Sequence, residues 1–100
     1  MLNITVSKNE VALKLEVEGR LDTTTAPQLE TTVKDNITGI EHLEFDLKGL
    51  EYISSAGLRV MLSTQKIMNK QGDMVLKNVS EEVYEVFDIT GFADILTIEK

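Results

Sequence analysis

The chain has 100 residues, 42% of them hydrophobic, with six Gly and one Pro; this is the composition of one folded domain and excludes a disordered or collagen-like chain. The absence of Cys removes disulfides, thiolate metal sites and cysteine nucleophiles, and a single His argues against an all-protein zinc site. Ten Lys and Arg against 17 Asp and Glu give a net charge of −7, which argues against nucleic acid as a partner and points to other proteins.

The opening stretch from Met1 to Lys14 alternates apolar and polar residues, unlike a signal peptide or a basic presequence. The longest aliphatic runs, such as Val60-Met61-Leu62, fall far short of the roughly 20 residues that span a bilayer. A cytoplasmic protein without membrane insertion is expected.

Ile4 and Val6, then Val11, Leu13, Leu15 and Val17, recur at period two. They predict two strands with one wet face, joined by a tight turn at Lys8-Asn9-Glu10. Gly19 ends the second strand, and Arg20-Leu21-Asp22 follows. A first helix is predicted with Thr25 as its cap, Gln28 completing a capping box, and Pro27 in the first turn. Ala26, Leu29, Val33 and Ile37 form its apolar stripe, and Gly39 ends it. Leu43, Phe45 and Leu47 predict a third strand, after which Gly49 to Ile53 leads into a pair of serines.

The second helix is predicted from Ser55 to Lys70. Arg59, Ser63, Lys66 and Lys70 form a narrow wet stripe, so most of this helix should be covered. Gly72 stops it, and Met74-Val75-Leu76 reads as a short buried strand. Ser80 caps a third helix with Glu81 and Glu82 in its first turn; Val83, Val86 and Phe87 supply its core face, and Gly91 closes it. Ile95, Leu96 and Ile98 predict a last edge strand. The order β-β-α-β-α-β-α-β over a single domain, residues 1–100, predicts an α/β fold: a mixed sheet with helices packed mainly on one face.

The segment richest in chemical meaning is Tyr52-Ile53-Ser54-Ser55-Ala56-Gly57-Leu58-Arg59-Val60. A helix cap accounts for one serine but not for two, nor for a Gly inside the helix, which costs about 1 kcal/mol relative to Ala. Gly57 marks a close approach, by another element of the chain or by a partner. A hydroxyl at a helix N-terminus also suits phosphorylation, because the free N–H groups and the dipole hold a dianion. Asp22 reads as a loop carboxylate capping the Thr23-Thr24-Thr25 segment. Elsewhere the chemistry is thin. His42 is read as an exposed strand residue, the four Met as core fillers, and neither a nucleophile elbow nor a phosphate loop occurs.

Three motifs in order, Gly19-Arg20-Leu21-Asp22 with the following Thr-Ala-Pro, Tyr52 to Val60, and Phe87-Asp88-Ile89-Thr90-Gly91-Phe92, resemble the STAS domain of sulfate transporters and bacterial anti-sigma factor antagonists. The resemblance covers almost the whole chain and implies a STAS-type sheet. In the antagonists an Asp-Ser-Ser/Thr-Gly pattern precedes the central helix, and its first Ser is phosphorylated. Alignment on Gly57-Leu58 places that acceptor at Ser55. Ser54 stands where the Asp is usual and is the alternative acceptor, and Ala56 stands where the second hydroxyl lies.

The resemblance therefore implies an anti-sigma factor antagonist, a binding module that catalyses nothing and needs no cofactor or metal. Its unphosphorylated form would sequester an anti-sigma factor that is also an ATP-using, GHKL-type serine kinase, freeing a sigma factor, and a serine phosphatase would reset it. The implied partner surface comprises Asp22, Thr23, Thr24, Ser54, Ser55, Ala56, Gly57 and Arg59. The competing reading is a STAS subunit of a membrane transporter or signalling scaffold without a phosphorylation cycle.

Overall fold

A ten-residue strand organises the molecule. In the computed structural model, which describes residues 2–100, Leu2–Asn9 (β1) and Ala12–Leu21 (β2) form an antiparallel hairpin. Met1, the first residue of the predicted alternating stretch, lies outside the described residues. The opposite edge of β2 is shared. Its first half pairs in parallel with His42–Asp46 (β3), and its last residues pair in parallel with Leu50–Ile53 (β4). Asp73–Lys77 (β5) continues the sheet beyond β3, and the two-residue Ile98–Glu99 (β6) closes it. The helices are Ala26–Asn36 (α1), Ser55–Gln71 (α2) and Glu81–Ile89 (α3), with a 3₁₀ turn at Phe92–Asp94.

The period-two pattern sorts the two faces of the sheet. Leu13, Leu15, Val17 and Leu21 of β2, Leu43 and Phe45 of β3, and Met74 and Leu76 of β5 are buried in one core with Leu29, Met61, Met68 and Phe87 from the helices. The intervening residues face away from that core. There Lys14 lies within 3.9 Å of Glu44 and Asp46, and Lys77 lies 3.6 Å from Glu44. The mixed sheet with helices on one face is thus the architecture that the alternation predicts.

Four local expectations are corrected. The hairpin turn is Glu10-Val11, one step later than Lys8-Asn9-Glu10, because Asn9 pairs with Ala12 and Glu10 takes the left-handed φ of 55°. Val11 is consequently a turn residue and 39% exposed. Residues 50–53 form a strand of their own, so the order gains an element. Only Leu50 and Ile53 of β4 are buried, and its pairing shifts register at Gly19/Arg20, which hides the period-two signal. Thr25 occupies the N-cap position of α1 but makes no side-chain cap bond, and Gln28 donates to Leu2 O at 3.2 Å instead of closing a capping box. The last strand shrinks to Ile98–Glu99, leaving Leu96 buried just before it and Ile95 exposed.

Other signals hold. Pro27 lies in the first turn of α1, and Ser80 Oγ accepts from Val83 N–H at 3.3 Å. Arg59, Ser63, Lys66 and Lys70 of α2 are all exposed. Gly72 ends α2 where the chain passes Glu41: a Cβ at Gly72 would lie 1.9 Å from the Glu41 carbonyl oxygen, so no larger residue enters here without moving the backbone.

Candidate functional site

Strands β2 and β4 end side by side. Leu21 pairs with Ile53, and the Ser54 N–H donates to Leu21 O at 2.9 Å. Arg20 stacks its guanidinium over the Tyr52 ring, 4.3 Å from the centroid, and so adds a second tie between the strands. The two chain segments singled out by sequence therefore leave the sheet together, one toward α1 and the other into α2.

Asp22 knots the first segment. Its Oδ1 accepts from Thr24 N–H at 3.0 Å, Thr24 Oγ1 at 2.7 Å and Thr25 N–H at 3.1 Å. Thr25 Oγ1 accepts from Asp22 N–H at 2.8 Å and donates to Arg20 O at 2.8 Å. This is why Thr25 does not cap α1: its hydroxyl is turned back into the loop. The bond from the Thr24 hydroxyl does most to hold the Asp22 carboxyl below its ordinary 3.8; burial opposes it, and the bonds from the Thr25 and Thr24 backbone add to the lowering. At neutral pH Asp22 is ionised.

The start of α2 divides its two hydroxyls between different tasks. Ser54 is extended, at φ −97° and ψ 176°, and is the N-cap; its Oγ accepts from Gly57 N–H at 3.4 Å. Leu58 N–H donates to Ser54 O at 2.9 Å. Ser55 is the first helical residue and is exposed, whereas Ser54 is half-buried. With the Gly57 and Leu58 donors taken, the Ser55 and Ala56 N–H groups remain as the outward-facing donors of this helix end. Gly57 itself is buried. A Cβ there would lie 2.7 Å from Leu21 Cγ and 2.9 Å from Ile53 Cγ1, so the close approach it marks is made by β2 and β4.

Between α1 and α2 a groove of about 460 Å³ includes Thr23, Pro27, Ala56, Arg59 and Lys66 in its lining. The fold thus gathers Asp22, Thr23, Thr24, Ser54, Ser55, Ala56 and Arg59 at one end of the sheet, with Gly57 beneath them. Pro27, Ser63 and Lys66 extend the same surface and were not foreseen as part of it, although the wet stripe of α2 running on from Arg59 carries the signal. His42 stands apart, exposed at the start of β3, with Nδ1 3.1 Å from Asp73 Oδ2. Among the described residues no cluster of three or more His, Cys, Asp or Glu could hold a metal, and no helix is long and apolar enough to cross a membrane.

The profile of the STAS domain family matches residues 3–100. The chain belongs to this family. The STAS domain is 35% identical over 98 residues to an anti-sigma-B factor antagonist of Bacillus subtilis, an alignment covering 97% of this chain and 90% of that protein. It is 30% identical over 101 residues to an anti-sigma-B factor antagonist of Staphylococcus epidermidis, covering 99% and 94% of the two chains. At low identity, solved structures share its fold. An anti-sigma factor antagonist from Mycobacterium paratuberculosis superposes with a TM-score of 0.89 at 20% identity, over 99% of this chain and 86% of that one. The antagonist SpoIIAA in its unphosphorylated form gives 0.83 at 17% identity over 98% and 89% of the chains. The Bacillus SpoIIAA in its phosphorylated form gives 0.76 at 16% identity over 98% and 92%. The mixed sheet and three helices of this STAS domain are the STAS-type fold that its motifs imply, with β4 as the added strand.

Proposed function

We propose that this STAS domain is an anti-sigma factor antagonist whose binding is switched by phosphorylation of Ser55. The observation that carries the choice of residue is the division of labour at α2: Ser54 Oγ is committed to the N-cap, while Ser55 is exposed at the first helical position. The names of the relatives and the existence of phosphorylated and unphosphorylated forms of a protein with this fold support the class of function.

The physics of the switch is local. A phosphate on Ser55 adds about −1.5 to −2 charges. It would lie against the outward N–H groups of Ser55 and Ala56 and the positive end of the α2 dipole, so the fold tolerates it. Arg59, four residues along the same helix, is placed to share that charge. For a partner, a dianion joins the ionised carboxylate of Asp22 on this surface. The unphosphorylated surface of Asp22, Thr23, Thr24, Ser55, Ala56 and Arg59 would dock an anti-sigma factor that is also an ATP-using serine kinase of the GHKL type, with a serine phosphatase restoring the bound state in the cytoplasm. Ser54 and Gly57 would serve that surface from below, by capping and seating α2.

Incubation with the kinase encoded nearby and ATP, followed by mass spectrometry of the peptide holding both serines, tests the reading. Phosphate on Ser55, with loss of anti-sigma factor binding, is the expected result. Phosphate on Ser54 alone overturns the residue choice. Phosphate on neither overturns the switch and leaves a transporter-associated or scaffolding STAS subunit in its place.

A further inference from the structure

The two edges of the sheet are unequal. One ends on the two-residue β6 and the other on β1, eight residues long and paired without interruption to β2 from Leu2↔Gly19 to Asn9↔Ala12. Among the described residues nothing pairs with the outer side of β1. Folded proteins ordinarily blunt such an edge with bulges, Pro or several charges. Here there is no bulge and no Pro, and Lys8 is the one charged residue between Leu2 and Asn9, in a chain with 27% charged residues.

The ladder shows which backbone groups this edge offers. Gly19 N–H donates to Gly49 O, and Val11 O accepts from the N–H groups of Glu41 and His42, all on the side of β2 away from β1. Odd-numbered β2 residues therefore point away from β1, and even-numbered ones point toward it. Their partners Asn3, Thr5, Ser7 and Asn9 are bonded inward, which leaves the groups of Leu2, Ile4, Val6 and Lys8 on the outer edge. The one such group with a partner agrees: Leu2 O accepts from Gln28 Nε2 at 3.2 Å, from α1.

We propose that this edge pairs with β1 of a second copy of the chain, antiparallel about a twofold axis through Thr5. Reversing the strand on itself in that register sets Ile4 opposite Val6 of the second copy, and Val6 opposite its Ile4. Each such pair exchanges the N–H and C=O groups that the monomer leaves open. On the helix side of the sheet, Val6, 41% exposed, gains an apolar neighbour in Ile4, which already packs on the core. On the open side Thr5 meets Thr5, and Asn3 meets Ser7, all uncharged. Lys8 falls opposite Leu2, not opposite its own copy. An isologous contact of this kind closes on itself and forms no fibre. Each copy carries a net charge of −7, so the nearly uncharged edge is a place where two copies can approach with least repulsion.

Sedimentation equilibrium of the 100-residue chain over a range of protein and salt concentrations tests this. A reversible dimer is expected, tightened by added salt because screening relieves the repulsion between like-charged copies. Val6→Pro removes an N–H that bonds to nothing in β2, so it should halve the mass while leaving the circular dichroism spectrum intact. Val6→Lys, which keeps the backbone donor but crowds the pair with charge, should also give a monomer and guards against a folding defect in the Pro variant. A wild-type monomer at millimolar concentration overturns the proposal and leaves the edge for an extended peptide of another protein. So does a dimer that survives both substitutions, or one that salt dissolves.

Discussion

The Asp22 loop and the start of α2 sit on adjacent strand ends and are built from the same kinds of residue, yet they use their polar groups in opposite ways. In the loop, one Asp and two Thr bond to each other and to Arg20 O, so the loop is held by its own side chains. At the helix start, one serine is spent on structure and the next is left to solvent. A hydroxyl becomes available for chemistry when its neighbour has already met the local structural need. The pair at 54 and 55 is therefore a division of roles rather than a redundancy.

Charge placed on the free hydroxyl separates the two regions most clearly. Ser55→Asp should keep the helix and weaken binding to the cognate anti-sigma factor by about a hundredfold, roughly 3 kcal/mol, measured by titration calorimetry. Ser55→Ala should bind as wild type and refuse phosphate. Equal binding by wild type and Ser55→Asp would place the partner surface elsewhere.

The next effect concerns the seat beneath both regions. Gly57→Ala would force a methyl group against Leu21 and Ile53, which are 0% and 3% exposed and have nowhere to move. Overpacking of about 1–3 kcal/mol, offset by about 1 kcal/mol of helix propensity, should give a net loss near 1 kcal/mol in urea denaturation. A stabilised variant would mean that α2 can lift from β2 and β4 cheaply.

Smaller still is the difference between the two serines in stability. Ser54→Ala loses the cap and should cost about 0.5–1 kcal/mol, the low end of the range because the bond to Gly57 N–H is 3.4 Å long. Ser55→Ala should fall within about 0.5 kcal/mol of wild type. The reverse order would assign the cap to Ser55 and undo the division of roles.

The loop gives the mildest signal, with pH. The Asp22 carboxyl is lowered chiefly by the Thr24 hydroxyl, and the Asp46 carboxyl chiefly by the Asn78 side chain. A carboxyl that binds its proton less readily folded than unfolded contributes stability above 3.8, and that contribution fades as pH falls through the lowered folded value. The melting temperature should therefore be insensitive to these two groups near neutrality and should drop in acid. Asp22→Asn and Asp46→Asn should each flatten that drop. An unchanged acid limb in both variants would mean that these hydrogen bonds form equally well in the unfolded chain.

What was legible in the sequence follows from the range over which each signal acts. Leu13, Leu15 and Val17 announce a strand because one face of β2 is covered for most of its length, and Ser80 announces a helix because its bond to Val83 is local. β4 was not legible as a strand, since its existence depends on a register shift in β2, some thirty residues earlier in the chain. Thr25 was misread for a different reason. Its hydroxyl had two local uses, capping α1 or closing the Asp22 loop, and the loop bonds won. The resemblance brought Asp22 and Ser55 to one surface. Which of the two adjacent serines is the cap depends on where the helix begins, to the residue, and helix starts read from sequence shift by one or two positions.

The division of one edge of β2 between β3 and β4 also bears on how the molecule moves. β3 is held on both sides, by β2 and β5, whereas the four residues of β4 pair with the end of β2 alone, with α3 and the start of α2 packed against them. Opening β4 would interrupt few backbone bonds and leave the β1-β2-β3-β5 ladder whole. Native-state hydrogen exchange should find the amides of Tyr52 to Ser54 opening in a separate, less costly event than those of Leu43 to Phe45. A kinase that must draw a seryl hydroxyl into its own active site would then meet a segment able to come forward while the body of the domain stays folded.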